Sequence, residues 1–118
     1  MRTQGTFFEQ IAKEYLLNSH LALETENFNC KLGEIDLVMT DGNTMVFVEV
    51  KQRANNHYGG ALAAVTPKKQ QRIIKSAMFY CQTKNINFEQ QACRFDVVAI
   101  TGGSPPYQIQ WVKNAFPN

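Results

Sequence analysis

The chain has 118 residues, 44% of them hydrophobic and 19% charged, and a formal net charge of +2. That size holds one respectable core and that composition is ordinary for a globular chain, so residues 1–118 read as a single domain; two domains and a disordered segment are both disfavoured. No apolar run is long enough for a membrane span or a signal segment. Cys30, Cys81 and Cys93 form no CxxC pair, and His20 and His57 are isolated, so neither a disulfide scaffold nor a zinc site is expected and a reducing, cytoplasmic setting is.

Residues 7–17 read as a first helix, with Phe8, Ile11, Ala12, Tyr15 and Leu16 at helical spacing and Lys13 and Glu14 on the other side. Glu9 falls at the edge of the apolar stripe. It either faces water, the commoner fate of an edge glutamate, or leans toward a sheet on which the helix packs. Residues 21–29 form a first strand carrying Leu21, Leu23 and Phe28, interrupted by the polar run 24–27, and Gly33 separates it from the next apolar run.

Residues 35–39 and 44–53 are rich in Val, Ile, Leu, Met and Phe and flank Asp41-Gly42-Asn43, the pattern of a β-hairpin. Alternation sends Val46, Val48 and Val50 one way and Phe47, Glu49, Lys51 and Arg53 the other. A two-residue Gly42-Asn43 loop pairs Asp41 with Thr44 and sets Asp36 across from Glu49, whereas a three-residue loop sends Asp36 to the opposite face. In the first register the two acids have Cβ atoms roughly 4.5–5.5 Å apart, an arrangement that needs positive charge between them. A divalent cation such as Mg²⁺ supplies it, and Lys51 on the same face can aim its ammonium at a water or at a phosphate. The plainer alternative is a solvated Glu-Lys pair on a half-buried hairpin.

Residues 54–60, with Asn55, Asn56, Gly59 and Gly60, read as a loop suited to close backbone approach, and Tyr58 there either stacks on a base or anchors its own loop. Thr66-Pro67 opens a second helix as N-cap and first helical residue. Its expected buried stripe is Ile73, Ile74, Ala77, Met78 and Cys81, with Lys68, Arg72 and Lys75 on the polar side. The helix N-terminus with Lys68 and Lys69 would attract an anion. After a polar connection over 85–93, residues 94–100 form a near-continuous apolar strand of the buried kind. Gly102-Gly103-Ser104-Pro105-Pro106 turns the chain into a half-exposed edge strand carrying Tyr107, Ile109 and Trp111. The order α-β-β-β-α-β-β implies an α/β fold, a mixed central sheet of about five strands flanked by helices, with a parallel crossover around the second helix.

Charge is unevenly spread. Eight of the ten acids lie at or before Glu49, while residues 50–88 hold no acid and seven bases: Lys51, Arg53, Lys68, Lys69, Arg72, Lys75 and Lys84. An acid cluster beside a basic segment is what a nucleic-acid hydrolase needs, although a helix with a solvated cationic face gives the same count.

Gly33-Glu34-Ile35-Asp36-Leu37 followed by Val46-Phe47-Val48-Glu49-Val50-Lys51-Gln52-Arg53 closely resembles the YraN-like family of bacterial proteins. The likeness extends to Gly5, Glu9, Ala12, Tyr15 and Leu16, to Tyr58-Gly59, to Lys69, Arg72, Ile73 and Ala77, to residues 94–100, and to Asn114-Ala115-Phe116. That family is regarded as predicted endonucleases of the restriction-endonuclease-like superfamily, similar to archaeal Holliday junction resolvases. The resemblance implies a single restriction-endonuclease-like domain. Asp36, Glu49 and Lys51 match the acid, acid and lysine of the PD-(D/E)xK signature, and Glu9 its first-helix glutamate. Ile35 stands in place of the signature's proline, and Phe8 where glycine is frequent. The implied activity is Mg²⁺- or Mn²⁺-dependent cleavage of DNA, with Asp36, Glu49 and the Val50 carbonyl as metal ligands and Glu9 and Lys51 assisting. Arg53, Tyr58, Lys68, Lys69 and Arg72 would contact the nucleic acid, and a homodimer is implied by analogy with resolvase-like enzymes. The rival reading is a module of the same fold that binds nucleic acid without cutting it.

Overall fold

Strands whose two faces are both apolar must be covered on both sides, and a computed structural model, describing residues 4–117 and side chains from Thr6 onward, places a long helix on each face of one sheet. The order is α1 (Gln4–Asn18), β1 (Ala22–Cys30), β2 (Gly33–Asp41), β3 (Thr44–Arg53), a 3₁₀ turn (His57–Gly59), a one-turn helix α2 (Gly60–Ala63), α3 (Pro67–Thr83), β4 (Cys93–Thr101) and β5 (Gln108–Val112). The strands lie side by side in chain order. All neighbours are antiparallel except β3 and β4, which run parallel across the α3 crossover, so the sheet is mixed as the element order implies.

Alternation divides the core in two. Val38, Met45, Phe47, Phe95 and Val97 pack against Ile73, Ala77, Tyr80 and Cys81 of α3. Leu37, Met39, Val46, Val48, Val98 and Ile100 pack against Phe8, Ala12 and Leu16 of α1. The hairpin has the two-residue loop: Asp41 pairs with Thr44 and Leu37 with Val48. Gly42, the first loop residue, sits at φ 62, where such turns take glycine.

Two expectations change. The buried stripe of α3 is Ile73, Ser76, Ala77, Tyr80 and Cys81, whereas Met78 is 49% exposed. The stripe rotates because two polar side chains find partners inside: Ser76 Oγ donates to the Arg72 carbonyl at 2.8 Å, and the Tyr80 hydroxyl is 2.8 Å from Thr25 Oγ1. Residues 57–63, expected as loop up to Gly60, contain the 3₁₀ turn and α2, which bury Gly60 and Ala61. Turns this short carry no hydrophobic periodicity, so the sequence offers no signal for them. Gly33 brings the β1–β2 turn onto α3: a Cβ there would lie 3.1 Å from Ser76 Oγ, with φ at 150. The absent side chain lets the turn lie close against Arg72 and Ser76 in the middle of α3.

Candidate active site

The site forms where β3 outruns β2. The β2–β3 ladder stops at Leu37 opposite Val48, leaving residues 49–53 held by β4 alone. Alternation is also interrupted here, because Ile35 packs with the α3 side and Leu37 with the α1 side. Asp36, between them, turns its carboxylate to the open edge of β3 and accepts the Val50 N–H at 2.8 Å on Oδ2. Glu49 is the next residue along β3, so the register that sets Asp36 across from Glu49 is the one the hairpin adopts.

Both acids are buried, Asp36 at 6% and Glu49 at 4% exposure. They share a cleft of about 260 Å³ with Phe8, Glu9, Glu34, Val50, Lys51, Gln52, Arg53 and Lys69. Glu9 leans inward from α1 into the cleft, where Asp36 and the Asn27 side chain are near enough to act on its carboxyl. Phe8, in the position where glycine is frequent in the resembling family, does not prevent this; it lines the cleft while its ring packs edge-on against Tyr107 at 5.2 Å.

The electrostatics arise from burial of several acids together. Burial, then the neighbouring Glu49 and Glu9 charges, push the Asp36 carboxyl up to about 9, against the pull of the Val50 N–H. Burial likewise raises Glu9, with Glu34 adding repulsion and the Asp36 and Asn27 hydrogen bonds opposing. Positive charge arrives from two lysines on one oxygen: Lys69 Nζ lies 2.9 Å and Lys51 Nζ 3.8 Å from Glu49 Oε2. Burial lowers the Lys51 pKa, and the neighbouring Lys69 lowers it further. Burial acts the same way on Lys69, but its contacts with neighbouring groups, the Glu49 carboxylate at 2.9 Å among them, outweigh it and leave the pKa raised.

The nucleic-acid residues expected from sequence separate into groups. Lys69 belongs to the acid cluster itself. Lys68 and Arg72 line an adjoining hollow of about 390 Å³ with Gly33, Thr66 and Ile73, and Glu34, Glu49 and Lys69 line both spaces. Arg53 borders the acid cleft on one side and, on the other, a hollow containing Tyr58, whose side chain is fully exposed away from the acids. Two residues escaped the sequence reading. Asn27, at φ 52, sits between Glu26, paired with Leu37, and Phe28, paired with Ile35, and so across from Asp36. Glu34 enters as a fourth acid at the rim. The signal for Asn27 was the polar run 24–27, since asparagine is one of the few residues that tolerate the left-handed conformation within a strand.

The donors are of the chemical kind a hard divalent cation takes, although among the described residues no three such side chains are gathered as a ready-made ion-holding group. Glu9, Asp36 and Glu49 offer carboxylate oxygens, with no thiol or imidazole among the described residues lining the cleft. A carboxyl held protonated near neutrality by burial and then by its acidic neighbours is a position at which a cation can replace a proton.

Comparison with known proteins places the chain among relatives. The sequence model of a family described as "Uncharacterised protein family UPF0102" matches residues 8–100. A UPF0102 protein of Legionella pneumophila is 46% identical over 113 residues, spanning 96% of this chain and 93% of the relative. One from Aeromonas hydrophila is 45% identical over 97% of this chain and 85% of its own, and one from Stutzerimonas stutzeri 43% identical over 98% and 95%. The chain belongs to this family.

Proposed function

We propose that this member of family UPF0102 is a Mg²⁺- or Mn²⁺-dependent endonuclease of the restriction-endonuclease-like superfamily, hydrolysing phosphodiester bonds of DNA, with branched or structured DNA as the substrate to test first. The observation that carries the proposal is the meeting of Asp36, Glu49, Glu9 and Lys51 in one cleft bordered by basic residues. A hydrolase of phosphodiesters needs a place for positive charge on the phosphate, a group to steer water, and a grip on the backbone.

Asp36, Glu49 and the Val50 carbonyl would hold the ion, with Glu9 completing the acid shell. A bound divalent ion supplies charge neutralisation on a phosphoryl oxygen and a lowered pKa for water. Lys51 orients the attacking water and stabilises the charge gathering on the phosphate. Arg53, Lys68 and Arg72 hold backbone phosphates without reading sequence, and the exposed Tyr58 offers a ring for stacking. A homodimer would present two such clefts to two strands. The proposed setting is the cytoplasm, where the three free thiols stay reduced; among the described residues no helix is long and apolar enough to cross a membrane.

The test is cleavage of branched, nicked and single-stranded DNA with Mg²⁺ or Mn²⁺, beside a Glu49→Ala variant. The proposal expects metal-stimulated products from the native chain and a loss of at least about 100-fold in the variant. Products undiminished in the variant would refute the assignment. DNA binding with steep salt dependence and no products would instead favour the non-cutting module.

A further inference from the structure

Lys69 was expected to grip phosphate from the start of α3, but it lies on a buried acid. It is the third helical residue after the Thr66 cap, and its N–H donates to Thr66 Oγ1 at 3.2 Å. That position favours an acid, because the helix N-terminus carries partial positive charge. An ammonium there is electrostatically misplaced within its own helix, and Lys68 beside it compounds the repulsion. The compensation lies across the cleft: Lys69 Nζ is 2.9 Å from Glu49 Oε2, closer than Lys51 at 3.8 Å, and Glu49 is 4% exposed. A carboxylate that deep requires a cation on it. Without a metal, Lys69 is the nearest positive charge that Glu49 has.

We propose that Lys69 is a placeholder cation, occupying Glu49 until a divalent ion takes the carboxylate and then swinging into the adjoining hollow beside Thr66, Lys68 and Arg72. The inference rests on the metal-site reading above and adds regulation to it. The ion and the ammonium compete for one carboxylate, so Lys69 weakens metal binding in the free protein. Lys69 already borders both spaces, which makes the movement a change of side-chain direction rather than of backbone. A phosphate in the outer hollow would hold the displaced ammonium there. Phosphate and metal would then favour each other's binding by the same factor.

Mn²⁺ binding measured by electron paramagnetic resonance on the whole chain tests this without reference to cleavage. Lys69→Met should tighten Mn²⁺ binding about tenfold, while Lys68→Met, which removes an equal charge from the next position, should change it by less than about twofold. Lys69→Gln serves as the second variant if methionine perturbs folding. In the native chain, acylation of Lys69 by an amine-directed reagent, followed by mass spectrometry, should accelerate on Mn²⁺ saturation while Lys84, on the far end of α3, does not change. Equal tightening by both variants would reduce the effect to a general field and overturn the placeholder role. Unchanged or weaker binding in Lys69→Met, or Lys69 acylation indifferent to Mn²⁺, would overturn it too while leaving the metal site standing. No Mn²⁺ binding by the native chain would overturn the metal reading and this inference together.

Discussion

Asp96 and Asp36 are buried acids in one sheet with opposite surroundings. Asp96 on β4 is inaccessible to solvent and fully paired. Arg94 Nε reaches both its oxygens at 3.1 Å, Trp111 Nε1 donates at 2.9 Å, and the Asn114 N–H donates at 2.9 Å. Arg94 also bonds Asp41 at 2.9 Å, so this network ties the hairpin, β4, β5 and the chain after β5 together. Its one defect is Arg94 Nη2, buried without a hydrogen-bond partner among the described residues. Asp36 has a single N–H donor and two acids for neighbours. The contrast separates an acid that the fold uses from an acid that the fold tolerates, and residues of the second kind concentrate at functional sites.

The largest effect should therefore come from the acid that does no chemistry. Asp96→Ala leaves the Arg94 guanidinium buried and half-paired and strips two further donors of their acceptor, at a cost of about 3–5 kcal/mol in urea unfolding. A loss below about 1 kcal/mol would break the comparison at its structural end.

Asp36→Asn should move stability the other way. The folded-state pKa of about 9 stands above the ordinary 3.8. Its contribution is therefore complete below pH 4 and is lost as pH climbs through 9, so the metal-free protein weakens steadily across that window. An asparagine cannot ionise. In chelator at pH 8 the variant should be more stable by about 2 kcal/mol and its stability flatter with pH, while its cleavage falls to background. A destabilised Asp36→Asn with an unchanged pH slope would show that Asp36 is a structural acid like Asp96.

The readable parts of this molecule were those governed by local chemistry. Gly42-Asn43 fixed the hairpin loop, and through it the register that puts Asp36 beside Glu49; Thr66-Pro67 marked the start of α3; the apolar run 94–100 marked a strand buried on both faces. What escaped depends on distant partners. Met78 is apolar and helically spaced, yet Ser76 and Tyr80 take the inner positions because Arg72 and Thr25 satisfy them. Lys69 looked like one more base in a basic segment, because nothing in its neighbourhood reveals that the crossover sets it on Glu49. Asn27 and Glu34 enter the site through a left-handed residue within β1 and the tight turn after it, features that leave no periodic trace.

Metal binding should sharpen the difference between the acids by a smaller amount. An ion bound only by the folded chain stabilises it by about 1.4 kcal/mol at ten times its Kd, a rise visible in thermal unfolding with Mn²⁺. Asp36→Asn should lose most of that rise. A mild substitution at the other network, Trp111→Phe, removes one donor from Asp96 and should keep the rise in full, although its baseline melting temperature is lower. Loss of the Mn²⁺ response in Trp111→Phe would mean that the two acid environments are coupled through β4.

The smallest effect is expected at a residue near the acids that touches neither of them. Lys68 lines the outer hollow at the surface of α3 and has no ion pair among the described residues. Lys68→Met should leave unfolding within about 0.5 kcal/mol of the native chain. Its signature lies in DNA affinity: one phosphate contact fewer reduces the slope of log K against log salt by about 1 on every duplex tested, without changing sequence preference. If the slope is unchanged, the backbone does not cross this hollow, and the strand must approach the acids from the Arg53 and Tyr58 side. Arg53→Met should then show the missing unit of slope, because Arg53 borders the cleft from that direction.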